Sequence, residues 1–414
     1  MIKQQIKKLV LKPKWVKYCS QTFYESLFFC INMYKITHDE GWKREGLYII
    51  KKIRQIQQKD GGFDIGYEFN FGKIHKKGWS SAPECKMLVS LIDFGSIFGF
   101  EDVIDIIDKG IQWILNNSIQ INKNKEKIPY CPKSSKETMV YNGVSFVLAP
   151  LAMYYKYIKQ DKKIKEIHDR YINYLYDEFE WKNGYWKYSD QKRKDLTNIS
   201  RIKIDNYHLG QQLEMHCRSY DSLANPKNKK IIDKLSDYLI TLHKQSNPNP
   251  MPYLNFVSNQ EQGVHLWGYA SLINGFLSYY QISKKKEFLL ASKQIFDWIN
   301  EFAWLSTSFV CVYNNNTKNI DKNFYPRSDA WVINNLSNYL NYNLKEEPLA
   351  RVKKAYRKIK NQNFSGFENH TTTNIKKIII WLENVIQKRI YTLKRNPQKN
   401  NRAPTLKILK TKSS

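Results

Sequence analysis

An all-α fold of six helical hairpins is predicted by three features of the sequence. Helical stretches that are apolar and rich in small residues alternate with Lys-rich amphipathic ones, and each pair starts about 60 residues after the last. Long connections carrying aromatic and glycine residues join one pair to the next. A helical hairpin cannot bury its apolar face alone, so a serial set stacks into an open solenoid or closes into a ring with a central cleft.

The first members of the pairs begin near Thr22, Ala82, Tyr141, Asp205, His265 and Arg327, and the second near Gly41, Glu101, Asp161, Lys227, Lys284 and Leu344. Residues 141–155 are apolar nearly all round, as a helix packed on every side must be, which makes this an inner helix. Its partner, residues 162–179, places Ile164, Ile167, Tyr171, Leu175 and Phe179 at steps of three or four among Lys, Asp and Glu, which makes it an outer one. The fifth hairpin repeats the contrast. Gly268, Ala270, Ser271 and Gly275 allow close helix approach in residues 265–281, whereas Phe288, Leu289, Ile295, Phe296 and Ile299 share one face of residues 285–302. The connections of residues 59–67 and 181–188 contain Asp60-Gly61-Gly62 and Asn183-Gly184, turn formers that supply positive φ, flanked by rings up to Tyr67 and Tyr188 suited to short strands or to stacking on a ring-shaped ligand.

The repeat runs without a linker or a shift of composition, so residues 21–362 are read as one domain. Residues 1–20 are basic and lack the apolar core of a signal peptide. The densest apolar run, residues 141–157, is interrupted by Asn142 and Pro150, so no membrane span is expected. Beyond the ring, residues 363–393 are expected to carry a basic amphipathic helix, and the Lys- and Asn-rich residues 394–414 a disordered tail. A cytoplasmic protein follows, with the basic C-terminus as a candidate contact to the inner face of a membrane.

The formal net charge is +29, which fits an anionic partner or, equally, a Lys-rich composition spread over outer helices. No nucleic-acid module is recognisable, so nucleic acid is not an expected partner. The six cysteines are scattered without a CxxC or His/Cys spacing suited to zinc, so reduced, buried thiols and no metal or other cofactor are expected.

Gln57-Gln58-Lys59-Asp60-Gly61-Gly62-Phe63 resembles the Q-x-x-D-G-G-F element of the α/α-toroid superfamily, shared by terpene cyclases, prenyltransferase β-subunits and polysaccharide-processing toroids. Residues 263–275, with His265, Tyr269 and Gly275, and the run Arg327-Ser328-Asp329-Ala330-Trp331 resemble patterns of toroid proteins encoded in bacterial capsule and exopolysaccharide clusters. The resemblance implies an (α/α)6 toroid acting on, or in the assembly of, a surface polysaccharide. Isoprenoid chemistry is disfavoured, because neither D-x-D-D nor D-D-x-x-D occurs and no cysteine has an Asp two residues before it.

Carbohydrate chemistry asks for other groups. A uronate lyase or C5-epimerase removes a proton next to a carboxylate, which takes a base, a second acid–base group and a cation facing the carboxylate. Such residues gather at the starts of the inner helices. His208 or His265 is the expected base and Tyr207 or Tyr269 the opposite group; His265 and Tyr269, four residues apart, share a helix face. Arg327 is suited to grip a carboxylate of an anionic glycan or glycolipid bidentately. Asp329, Glu84, Asn142, Gln211, Gln212 and Trp331 complete the expected binding set. The same positions have structural readings: helix caps for Asp205 and Asn142, a helix-dipole contact for Glu84, core hydrogen bonds for the histidines, packing for Tyr269 and a mutual ion pair for Arg327 with Asp329. Two alternatives stand beside the proton-abstraction reading. One is a glycoside hydrolase using Glu84 with Asp205, or Glu214 with Asp329. The other is a non-catalytic glycan-binding scaffold.

Overall fold

The computed structural model describes residues 13–71, 73–134, 136, 139–189, 204–254, 263–314 and 323–368. Trp15–Glu368 forms one compact unit; a second, Met1–Lys14 with Asn369–Ser414, lies outside the described residues except for Pro13 and Lys14. Of the segment 363–393 expected to carry the C-terminal amphipathic helix, residues 363–368 are described and end in a short strand, Gly366–Glu368; the rest, with the basic tail, lies outside the described residues.

The six hairpins are present. The inner helices are α1 (Ser20–Thr37), α3 (Lys86–Phe98, entered through a 3-10 turn at Ala82–Cys85), α5 (Tyr141–Phe146) continued by α6 (Leu148–Tyr157), α8 (Asn206–Ser222), α10 (Leu266–Ser283) and α12 (Pro326–Leu340). Each is followed by its outer helix: α2 (Gly41–Ile56), α4 (Ile104–Asn117), α7 (Lys162–Asp177), α9 (Pro226–Ser246), α11 (Lys286–Phe302) and α13 (Glu346–Asn361). The third inner helix departs from the single run expected. Pro150 has no amide hydrogen to give a preceding turn, so the chain restarts at Leu148 and places the proline in the first turn of α6, where none is needed.

Local chemistry fixes the joints. His38 and Lys284 take left-handed backbone (φ 52° and 57°) to end α1 and α10, and the side chains of Asp161 and Asn225 cap α7 and α9. The Gln57–Phe63 turn is a structural clasp: Gln57 Nε2 donates to the Gly61 carbonyl at 3.1 Å and to the Ile106 carbonyl of α4 at 2.8 Å. Gly61, at φ 92°, lies so close to the Lys109 carbonyl that no side chain fits. The outer-to-inner connections form small antiparallel ladders, among them Phe69–Phe71 with Lys73–His75, Ile119–Asn122 with Lys125–Lys127, and Val264–His265 with Val312–Tyr313.

The apolar core lies between the inner and outer layers. The inner helices approach closely where they are small; a Cβ on Gly275 of α10 would sit 2.5 Å from the Gly210 carbonyl of α8. The ring closes by docking α12 on α1. Asn32 Nδ2 donates to Asn334 Oδ1 at 3.1 Å, and Asn334 Nδ2 donates to Glu25 Oε2 at 2.5 Å. In the outer layer, Tyr356 donates to Glu45 at 3.0 Å. All six cysteines are buried and unpaired. No helix among the described residues is long and apolar enough to cross a membrane.

Charge occupies the middle of the ring. Lys86, wholly buried, reaches Glu25 Oε1 at 3.0 Å and Glu214 Oε2 at 3.2 Å, with its ammonium 4.1 Å from the centre of the Trp331 ring. Arg218 extends the chain of charge to Glu214 (3.1 Å) and Asp93 (2.8 Å). Burial raises the Glu25 carboxyl to about 7, although Lys86 works against that rise. Burial acts likewise on Glu214, but Lys86 and Arg218 together outweigh it and hold that carboxyl below its ordinary value.

Candidate active site at the helix-start mouth

The starts of the inner helices gather at one end of the ring, and aromatic side chains, most of them buried, cluster there. Trp267, at the start of α10, lies edge-on to Trp331 of α12 at 6.2 Å and to the His208 imidazole of α8 at 5.4 Å. Tyr188, from the connection after α7, meets the other side of His208 at 5.7 Å. Tyr253, from the connection after α9, lies 5.1 Å from the His265 ring and 6.4 Å from Trp267. The two histidines therefore border one aromatic wall.

His208 is the best-placed acid–base group. Its Nδ1 lies 2.7 Å from the Asp205 carboxylate, and its side chain retains 19% exposure while Asp205 is almost fully buried. Asp205 also accepts the His208 backbone N–H at 3.2 Å, so the cap of α8 and the orienting of the imidazole are done by one carboxylate. With Nδ1 occupied by Asp205, Nε2 is the nitrogen left for exchange with a substrate.

Arg327 also stands at this mouth, with a partner already in place. Its Nε and Nη2 bind the two Glu368 oxygens at 2.7 and 3.2 Å, and its guanidinium lies 5.6 Å from the Trp267 ring centre. Gln21 accepts from both Arg327 Nη1 and Trp331 Nε1 at 3.4 Å. Glu84, buried, accepts from Ser20 Oγ at 3.2 Å and from Ser81 Oγ; burial raises its carboxyl, and those hydroxyls offset part of the rise.

Other expected site residues are turned to structural work. Tyr207 is fully buried and donates to the Met251 carbonyl at 3.1 Å. Tyr269 meets Trp298 of the outer helix α11 at 5.4 Å, between the two layers, whereas His265 precedes α10 in a two-residue ladder. The expected His265–Tyr269 acid–base pair is therefore not assembled, because the helix carries the tyrosine outward while the histidine stays at the mouth. Gln211 and Gln212 bridge inner helices by donating to Ser271 (3.4 Å) and Ser145 (3.0 Å). Asp329 does not pair with Arg327; its Oδ1 accepts the Phe309 N–H at 2.8 Å, and burial raises its carboxyl to about 7. Asn142 is buried at the start of α5, its Oδ1 without a hydrogen-bond partner among the described residues. Of the hydrolytic pairings, Glu214 is held by Lys86 and Arg218, and Asp205 by His208.

The expected catalytic and binding set leaves out Trp267, Tyr188, Tyr253, Gln21 and Glu368. Trp267 stands within residues 263–275 and Tyr188 ends the aromatic–glycine connection 181–188, so both rings were accessible signals. Gln21 lies in the first turn of α1, Tyr253 comes from a connection, and Glu368 lies past the last hairpin, where no helical period points inward.

No protein-family model matches the chain, and no curated protein matches it in sequence. Solved structures do match in shape. A cellobiose 2-epimerase from Bacillus thermoamylovorans is similar with a TM-score of 0.55 and 11% identity, over 77% of this chain and 87% of that one. A family 76 α-mannanase from Bacteroides thetaiotaomicron is similar with a TM-score of 0.58 and 10% identity, over 78% and 86%. A family 105 glycoside hydrolase from C. acetobutylicum gives 0.55 and 14%, over 81% and 96%. At such identities the likeness establishes the architecture, and the fold of this chain is an (α/α)6 toroid.

Proposed function

We propose that the chain is a carbohydrate-modifying enzyme that takes a sugar between the aromatic rings of the helix-start mouth and moves a proton with His208. The observation that carries this reading is the partly exposed His208 imidazole, anchored by the buried Asp205 and flanked by Tyr188 and Trp267. Sugar rings stack on such aromatic faces, and a histidine anchored at one nitrogen offers the other as a general base or acid. His265, on the same wall, is the second proton-transfer group of the proposal.

The reaction class that fits is epimerisation or elimination begun by removing a sugar C–H proton. Because Glu368 already holds Arg327, a sugar carboxylate is not needed at that position. A proton next to the carbonyl of an opened reducing sugar is acidic enough for the same chemistry, and the likeness to a cellobiose 2-epimerase makes reducing disaccharides the first substrates to try. A place in surface-polysaccharide assembly, in the cytoplasm or beside its membrane, is the cellular setting proposed from residues 263–275 and 327–331.

Incubation with cellobiose and mannobiose in deuterated water tests the reading. Deuterium appearing at a sugar carbon, with a kcat at least about 100-fold lower for His208→Gln, is expected. Deuterium uptake by His208→Gln equal to that of wild type removes His208 from the reaction. Release of new reducing ends without deuterium uptake moves the function to hydrolysis, a reading favoured by the buried Glu84, whose carboxyl burial pushes up.

A further inference from the structure

The opposite mouth of the ring, at the C-terminal ends of the inner helices, holds a cavity of about 490 Å³. Its walls follow one rule. The residues of α1 that reach it are Phe28, Ile31, Asn32 and Lys35, and those of α10 are Asn274, Leu277, Ser278, Gln281 and Ile282; both sets follow the i, i+3, i+4, i+7 spacing of a single helix face, which Ile282 extends by one place. Asn334 and Asn338 of α12 repeat the pattern. Inner helices that are otherwise apolar all round thus turn carboxamides to the same space.

Those amides are ordered by one another. Asn338 Nδ2 donates to Asn274 Oδ1 at 2.9 Å, and Asn32 Nδ2 is used by Asn334 and Ser337. Asn274 Nδ2, Asn338 Oδ1 and Asn32 Oδ1 make no protein hydrogen bond among the described residues, which leaves one donor and two acceptors at the cavity. The charges cancel: Arg218 pairs with Asp93 at 2.8 Å, and of the remaining lining ions one is Lys35 and the other Asp221, which holds Lys156 from outside at 3.2 Å. A cavity of this size, with fixed amides and four lining ions whose formal charges sum to zero, suits a small neutral ligand rich in hydroxyl groups.

We propose that this mouth is a second ligand site, separate from the aromatic one, which binds a neutral mono- or disaccharide through Asn32, Asn274 and Asn338. The buried ions lie between the two mouths. Arg218 and Asn334 face the cavity and bond Glu214 and Glu25 behind it, and Lys86 links both carboxylates to Trp331 on the other side.

Ligand-observed NMR on the full-length protein, with D-glucose, D-mannose and cellobiose as probes, tests the site in a Trp267→Ala background that removes the stacking wall of the first mouth. At least one of these sugars binds the parent variant. Adding Asn338→Ala weakens that binding about tenfold, the loss of one hydrogen bond to a buried ligand, and adding Ser278→Phe, which fills the cavity, abolishes it, with unchanged circular dichroism in both. No binding by the Trp267→Ala protein, equal binding by folded Asn338→Ala or Ser278→Phe forms, or binding of inorganic phosphate in place of sugars overturns the proposal. Absence of turnover at the aromatic mouth bears on the proposed reaction and leaves this readout intact.

Discussion

Substituting Glu25 by glutamine should make the protein more stable at alkaline pH and change it least at acid pH. Glu25 is wholly buried and shares the Lys86 ammonium with Glu214, which has Arg218 besides; the disadvantaged carboxyl is therefore Glu25, raised to about 7. An unfolded glutamate titrates near 4.3. Between those values the folded state holds a proton that the unfolded state has lost, so stability falls as pH rises through the window and is lower by roughly 3 kcal/mol once pH exceeds 7. Glutamine keeps one of the two acceptor oxygens, enough for either Lys86 or Asn334, and has no charge to desolvate. Glu25→Gln and wild type should lie closest together at about pH 5 and separate progressively to about pH 8, where a ring of this size, with an unfolding entropy of roughly 0.7 kcal/mol/K, gains about 4 °C in Tm. Lys86→Met is the opposite perturbation: it strands Glu25 and Glu214 without a shared cation and should cost about 3–5 kcal/mol. Thermal melts of the three proteins from about pH 5 to about pH 8 provide the assay. A Tm difference between Glu25→Gln and wild type that does not change with pH, or a Lys86→Met protein as stable as wild type, refutes the reasoning.

Glu368→Ala should destabilise by about 3–5 kcal/mol by leaving Arg327 buried without its carboxylate, and the double change Arg327→Met with Glu368→Met should recover most of the loss in urea titrations. Asp205→Asn should keep the helical circular dichroism and lower kcat on the active sugar more than it raises KM, because the imidazole loses its anchor; an unchanged kcat excludes the dyad. Asp329→Asn should match wild type at acid pH and exceed it above about pH 7, since burial raises that carboxyl by more than the Phe309 N–H and the Lys358 charge lower it. Gly275→Ala should cost about 2 kcal/mol or more in chemical denaturation, because the backbone carbonyl of Gly210 cannot withdraw as a side chain would.

The six hairpins were legible because each inner helix must be apolar all round and each outer helix on one face only. Helix starts near Ala82, Tyr141, Asp205, His265 and Arg327 follow from that contrast. Site chemistry was less legible. His208 and Arg327 stood out by residue type and position, but Glu368 lies 41 residues beyond Arg327 in a different element, and no period links the two. Tyr207 and Tyr269 had the right chemistry in the sequence and the wrong azimuth in the ring, because a helix start fixes a residue's height and not its direction. Lys86 left a faint trace, a lone cation at the head of the apolar run Met87–Ile92, and the amides on α1, α10 and α12 left another. Both belong to the ring axis, a place that exists only after closure.

Closure has a consequence for how such a chain is made. Asn334 and Ser337 meet α1 across 302 and 305 residues of sequence, so the first inner helix leaves the ribosome long before its permanent neighbour has been translated. Throughout that interval the buried side of α1, with Glu25 and Asn32 among its aromatic and aliphatic residues, has no α12 to cover it. The polar residues that end as the lining of the ring serve in the meantime as solubilising groups on a nascent helix, and delivery of the last hairpin converts an open crescent into a sealed body in one step.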